Sequence, residues 1–80
     1  MKFNPEIANV LPNGAVIIQR KQLGNSWVWL CEYKRRKHYV VWCSSKTEPA
    51  KVYGGTYFGT FMDAFIKYRY EIRRKSKLCL

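Results

Sequence analysis

Carboxylates, histidines and paired cysteines are scarce in this chain, and each shortage excludes a class of chemistry. Only five Asp and Glu residues are present, none in an evident pair, and His38 is the single histidine. General acid and base catalysis therefore lacks its usual groups. The three cysteines, Cys31, Cys43 and Cys79, lack the CxxC spacing of a zinc site. We expect no catalytic residue, no metal ligand and no cofactor.

Long apolar runs are also missing. No stretch is apolar for long enough to cross a membrane, and the first 14 residues contain no signal-peptide core. If the turn after Tyr33 has four residues, Cys31 faces Val40 while Cys43 faces Val28, so the two thiols are not cross-strand neighbours. A chain without a structural disulfide fits a reducing compartment. We expect a cytoplasmic protein with no membrane partner.

Positive charge is what the chain has in excess. Fifteen Lys and Arg residues against five Asp and Glu give a formal net charge of +10 at pH 7. This balance favours an acidic partner, either nucleic acid of unknown type or an acidic protein surface. The cations are clustered, and clustered arginines suit bidentate phosphate contacts. The predicted phosphate-binding residues are Lys34, Arg35, Arg36, Lys37, Arg69, Arg73, Arg74, Lys75 and Lys77.

Residues 60–77 have the pattern of a helix. Thr60 followed three residues later by Asp63 has the form of a capping box. Apolar side chains recur at helical spacing and predict a stripe that packs on a core. That stripe consists of Phe61, Ala64, Phe65, Tyr68 and Ile72. The opposite side carries most of the cations together with Met62, Ile66 and Tyr70, and Glu71 is expected to pair with lysines on the helix surface. Residues 76–80 are expected to fray.

Turn signals separate three predicted strands at residues 15–23, 26–33 and 38–44. Gly24-Asn25 suits a two-residue hairpin, and residues 34–37 form the next turn. Residues 51–58 predict a fourth, edge strand with a bulge at Gly54-Gly55. Residues 1–12 are expected to be an irregular lead-in. The whole chain, residues 1–80, is predicted to be one α+β domain: a three- or four-stranded antiparallel meander followed by one C-terminal helix packed on one face.

The aromatic residues of the central strands leave three interpretations open. One helix covers only one face of a sheet, and the other face would expose Trp27, Trp29, Tyr33 and Trp42. These rings are a core face, a dimer interface or a stacking platform for unpaired bases. Tyr70 on the helix is a further candidate for stacking or for an interface. Either a homodimer or residues 1–12 would cover the aromatic face.

Two families resemble parts of this pattern. Three strands and a helix, with Gly59-Thr60-Phe61 at the junction, are similar to the plant ethylene-response-factor type of DNA-binding domain, whose sheet reads the major groove. Residues 11–14, 39–42 and 55–58, followed by a helix with Ala64 and Tyr68, resemble small uncharacterised proteins of bacteriophages and mobile elements. The second resemblance implies a bacterial or phage cytosolic origin and a non-enzymatic role.

Two functional hypotheses follow. The first is a small basic, non-enzymatic nucleic-acid-binding protein that contacts phosphates with its hairpin turn and its helix end. The alternative is a protein-binding inhibitor or adaptor of the phage or mobile-element kind, directed at a host nuclease or defence complex. The alternative rests on the small size, the lack of catalytic groups and the surplus apolar surface.

Overall fold

A computed structural model of the chain describes residues 3–34 and 38–78. Strands β1 (Val16–Leu23), β2 (Ser26–Tyr33), β3 (His38–Ser45) and β4 (Tyr53–Phe58) precede helix α1 (Phe61–Leu78). All neighbouring strands are antiparallel, and the sheet has the order β1-β2-β3-β4. The helix packs on one face of this open sheet, so the predicted α+β meander is confirmed with four strands.

Turn chemistry sets the register of the sheet. Leu23 pairs with Ser26 around Gly24-Asn25, where Gly24 has a positive φ of 57° that suits glycine. Tyr33 pairs with His38, which leaves the predicted four-residue connection between β2 and β3. Cys31 therefore faces Val40 and Cys43 faces Val28, as expected, and both thiols are free.

The face of the sheet beneath the helix consists of small and medium-sized aliphatic side chains. Helix α1 packs larger side chains, including Phe65 and Tyr68, against it. Val28, Leu30 and Val41 are buried beneath the helix, together with Cys43. The Thr60 hydroxyl accepts a hydrogen bond from the Asp63 amide at 3.3 Å, which confirms the predicted start of α1. The described part of α1 runs to Leu78, so residues 76–78 are helical and not frayed as predicted, and residues 79–80 of the predicted tail lie outside the described residues.

The helix is rotated relative to the predicted stripe. Ala64 and Tyr68 are buried as expected, but Phe61 is 36% exposed and packs edge-on against Tyr39 at 5.8 Å between centroids. Glu71, predicted on the surface, is buried further along the helix, where it lies beside Cys43. The small Ala64 side chain lets the helix approach the sheet along this line, whereas the stacked rings of Phe61 and Phe65 stay at its flank. The predicted stripe is thus wrong at Phe61 and at Glu71.

The buried Glu71 carboxylate is fully engaged. It accepts a hydrogen bond from Arg74 at 2.9 Å and pairs with Lys67 at 3.0 Å. The Cys43 thiol lies 3.9 Å from the same carboxylate. A buried carboxylate is tolerated only when charges and hydrogen bonds compensate for its lost hydration, and here two cations do so.

The opposite face of the sheet is a tryptophan core closed by the N-terminal segment. Trp27, Trp29 and Trp42 are at most 6% exposed, beneath Leu11 and Ala15. The Trp29 ring stacks on Trp27 at 5.1 Å, and its Nε1 donates to the Ser44 hydroxyl at 2.9 Å. The core interpretation therefore holds for these indoles. Because the N-terminal segment covers them, these three indoles do not form an open stacking platform in this structure, and the homodimer stays a prediction.

Residues 3–15 form this cover without regular secondary structure, as the predicted lead-in requires. The Leu11-to-Gly14 turn closes through a 2.9 Å bond from the Gly14 amide to the Leu11 carbonyl, with Gly14 at φ 93°. The amide of Ile17 donates to the Asn9 carbonyl at 2.9 Å, and Arg20 reaches the Pro5 carbonyl at 3.0 Å. These bonds attach the segment to the β1 edge of the sheet.

Among the residues that the structure describes, no helix is long and apolar enough to cross a membrane.

Candidate nucleic-acid interface

The predicted phosphate-binding cations that the structure describes do not form one cluster: Lys34 directly follows β2, whereas the others lie on α1. The β2–β3 turn is beside His38, whereas the end of α1 reaches Cys43 through Glu71. With a strand rise of about 3.3 Å per residue, His38 and Cys43 are separated by about 17 Å. The helix begins near Tyr39 and runs back along the strands, which carries its basic end away from the turn.

The turn end carries a group of accessible rings beside positive charge. Lys34 is exposed, and Arg35, Arg36 and Lys37 lie outside the described residues. Tyr33, His38 and Tyr57 lie at this end of the tryptophan face, since Tyr33 pairs with His38 and Tyr57 pairs with Val40. We define the turn surface as Tyr33, Lys34, His38 and Tyr57.

Tyr57 is held in place by two neighbouring rings. Its ring meets His38 at 5.7 Å and Trp42 at 6.2 Å, in both cases edge to face. It is nevertheless 55% exposed. Tyr33 packs edge-on against Trp42 at 6.4 Å, and its hydroxyl donates to the Asn13 carbonyl at 3.4 Å. An exposed ring fixed in this way loses little conformational entropy when a partner contacts it.

Tyr57 and His38 were not among the predicted binding residues. The sequence places Tyr57 in the edge strand, but the bulge at Gly54 and Gly55 hides which face it occupies. Gly55 lies directly against Trp42, where any Cβ would overlap the indole Nε1. In the sequence, the Gly54-Gly55 pair between Tyr53 and Tyr57 is the feature that could have indicated this cluster. It does so only once the strand register shows that Tyr57 lies on the tryptophan face.

The other predicted cations are distributed over α1. We define the outer helix face as Met62, Ile66, Arg69, Tyr70 and Arg73, all of them exposed. Arg74 is bound by Glu71, and Lys75 is half-buried. The Lys67 ammonium lies 4.9 Å from the Tyr70 ring centroid in addition to its pairing with Glu71. Lys77 follows in the last turn of the helix.

Burial disfavours ionisation of the two described thiols and of Tyr68. Burial raises the pKa of Cys31 and that of Tyr68 to about 12, and burial also raises the pKa of Cys43. These thiols remain protonated at neutral pH and are weak nucleophiles. Within residues 3–34 and 38–78, no three His, Cys, Asp or Glu side chains come together in a group that could hold a metal ion.

Comparison with protein-family models, with curated proteins and with solved structures finds no match. The two resemblances therefore stay predictions.

Proposed function

We propose that this chain is a cytoplasmic, non-enzymatic nucleic-acid-binding domain whose site is the turn surface. The observation that carries the proposal is the exposed Tyr57 ring, fixed between His38 and Trp42 beside the cationic turn. Proteins that bind single-stranded nucleic acid commonly combine cations that contact the phosphate backbone with aromatic rings on which the bases stack. The free thiols of Cys31 and Cys43 support a reducing compartment.

The binding mode combines two terms. Four consecutive cations, Lys34 to Lys37, contact phosphates and release counterions. Tyr57 and His38 offer rings on which one or two bases stack, and this term tolerates any base because every base has a π-face. We therefore expect binding to single-stranded nucleic acid with weak sequence preference.

A salt titration tests the electrostatic term. Anisotropy of a fluorescein-labelled oligothymidine should give a plot of log affinity against log salt with a slope of about −3, if all four cations of the turn contact phosphates. The double variant Arg35→Gln/Arg36→Gln should make that slope shallower by about 1.4. A flat salt dependence of the unaltered protein rules out the proposal.

A matched variant locates the site. Arg69→Gln/Arg73→Gln removes the same charge from the outer helix face, which is outside the turn surface. At 0.15 M salt the screening length is about 8 Å, so this variant should leave the affinity nearly unchanged. Equal losses in the two double variants would show that the turn surface is not the site.

A tyrosine pair tests stacking. Tyr57→Ala should weaken binding by about tenfold, since loss of one stacked base costs about 1–3 kcal/mol, whereas Tyr57→Phe should bind normally. Tyr53→Ala is the control, because Tyr53 lies on the same strand with similar exposure but pairs with Cys43 on the helix face. Indistinguishable affinities of Tyr57→Ala and Tyr53→Ala would contradict a stacking role.

A further inference from the structure

The outer helix face carries an exposed stripe that the turn surface does not use. Met62, Ile66, Arg69 and Arg73 follow one another at helical spacings of four, three and four residues, so they lie within about 60° of one line on the helix. Met62 and Ile66 are 63% and 62% exposed, and Tyr70 beside them is 56% exposed. The buried stripe of Ala64, Tyr68 and Glu71 lies on the other side, so the exposed apolar groups are not core residues.

The stripe is divided into an apolar half and a cationic half. Among the described residues, neither Arg69 nor Arg73 has a carboxylate within 4 Å, whereas Lys67 and Arg74 both engage Glu71. Arg69, Tyr70 and Arg73 also line a shallow concavity together with Ile66 and Arg74. Two uncompensated arginines thus follow two exposed aliphatic side chains along the same line.

We propose that the outer helix face docks into an apolar groove with an acidic rim on a partner protein. Met62 and Ile66 would fill the groove, with Tyr70 at its edge, while Arg69 and Arg73 pair with carboxylates of the rim. Anchors at this spacing are the way in which helices bind grooves. Met, Tyr and Arg are also the residue types that protein interfaces prefer over lysine.

The charge of the stripe selects this occupant over others. A second copy would bring the same arginines together between two chains of net charge +10. Nucleic acid would pair with Arg69 and Arg73 but would leave Met62 and Ile66 in water. An anionic membrane would use both halves, although three apolar side chains on a convex helix bury less area on a flat bilayer than in a groove.

Site-specific photocrosslinking tests the proposal on the full chain. A benzophenone side chain is introduced at Ile66, and separately at Tyr53 as an equally accessible control. Each protein is irradiated in nuclease-treated lysate of the cells from which it comes. The expected result is one protein adduct at position 66 that is absent at position 53, that maps to an acidic surface of the partner, and that disappears in an Arg69→Glu/Arg73→Glu background.

Purified components then give the energetic test. Ile66→Ala should weaken the complex with the crosslinked partner by about thirtyfold, as expected for a hot-spot anchor. Ile7→Ala is the matched control, because Ile7 is equally apolar and exposed but lies in the N-terminal cover. The two variants should differ in affinity for the partner while they unfold at the same urea concentration.

Four results overturn the proposal. These are no adduct at position 66, an adduct insensitive to the charge reversal, an adduct to a second copy of this chain, and co-flotation with phosphatidylcholine–phosphatidylglycerol vesicles that Ile66→Ala abolishes. These results do not test the proposed nucleic-acid site. Variants of the outer helix face should retain full affinity for oligothymidine, so the two proposals can fail independently.

Discussion

The two faces of the sheet are closed by different means. Helix α1 covers the aliphatic face, where Val28, Leu30 and Val41 are the buried sheet residues. The tryptophan face is covered by residues 3–15, which have no regular structure and attach to the edge of β1. Both faces exclude water from their central side chains to a similar degree.

The difference shows that the side chains of a cover and those of the sheet beneath it together fill a core of limited thickness, so larger side chains on one leave less space for the other. Where the sheet presents small aliphatic groups, a helix with Phe65, Tyr68 and Ile72 fills the space. Where the sheet presents indoles, the cover contributes Leu11, Ala8 and Ala15 together with the partly buried Phe3 ring. Since interiors are close-packed, large sheet residues make a thin cover sufficient, and a second helix is not required.

The largest expected effect comes from emptying the tryptophan face. Trp29→Ala should destabilise the domain by about 3–5 kcal/mol, because a fully buried indole leaves a cavity and the Ser44 hydroxyl loses its donor. Urea unfolding followed by far-ultraviolet circular dichroism measures this loss. If Trp29→Ala does not fold, Trp29→Phe should still fold with reduced stability. A loss below about 1 kcal/mol for Trp29→Ala would mean that the cover collapses onto the gap.

The next effect tests whether the irregular cover is part of the core. Leu11→Ala should cost about 2–3 kcal/mol, because Leu11 is the largest fully buried side chain that the cover contributes. Ile7→Ala in the same segment should stay within about 0.5 kcal/mol, since its side chain is exposed. Equal urea midpoints for the two variants would show that residues 3–15 contribute little to stability.

A smaller effect is expected where the edge strand meets the tryptophan face. Gly55→Ala places a Cβ against Nε1 of Trp42, and displacement of that ring should cost about 1–3 kcal/mol. Gly59→Ala is the matched control, because nothing lies within 4 Å of its added Cβ and its φ is not positive. Thermal unfolding of both variants decides this. An unchanged melting temperature in Gly55→Ala would show that the indole has room to move.

The smallest effect belongs to the helix face and depends on pH. Burial alone would raise the pKa of Glu71, but hydrogen bonds and charge from Arg74 and Lys67 outweigh burial and hold it below its usual value. Glu71 therefore stabilises the fold fully above its unfolded pKa of about 4.3, and this stability is lost as the pH falls through the lower folded value. The urea midpoint should fall between about pH 5 and pH 3, and less steeply in Glu71→Gln. Parallel pH profiles of the two proteins would contradict the role of this carboxylate.

Local patterns predicted most of the fold. Alternation and turn residues placed β2 at its observed bounds, and the four-residue turn fixed Cys31 opposite Val40. The Thr60 cap placed the start of α1 within one residue. These features depend on the backbone conformations of a few neighbouring residues, and the types of those residues predict the conformations directly.

The candidate sites were less accessible to sequence reasoning. Charge alone groups the basic residues of the turn with those of the helix end, yet α1 begins near Tyr39 and runs back along the strands, so its last turns lie away from Lys34. The sequence does not predict Tyr57 as a site residue, because the bulge in β4 leaves the face of its side chain undefined until the register is known. The numbers of charged and aromatic residues can be counted from the sequence. Whether these residues meet on one surface depends on the strand register and on the direction in which the helix runs.

The sequence by itself determined the kinds of elements, their order and the pairing of the central strands, because these follow from side-chain period and turn geometry. Only the tertiary structure decided that Glu71 is buried while Phe61 lies at the flank, that residues 3–15 enclose the tryptophans, and that Met62 and Ile66 remain outside. Those outcomes depend on which volumes fit together across long separations in the chain, and no local pattern carries that information.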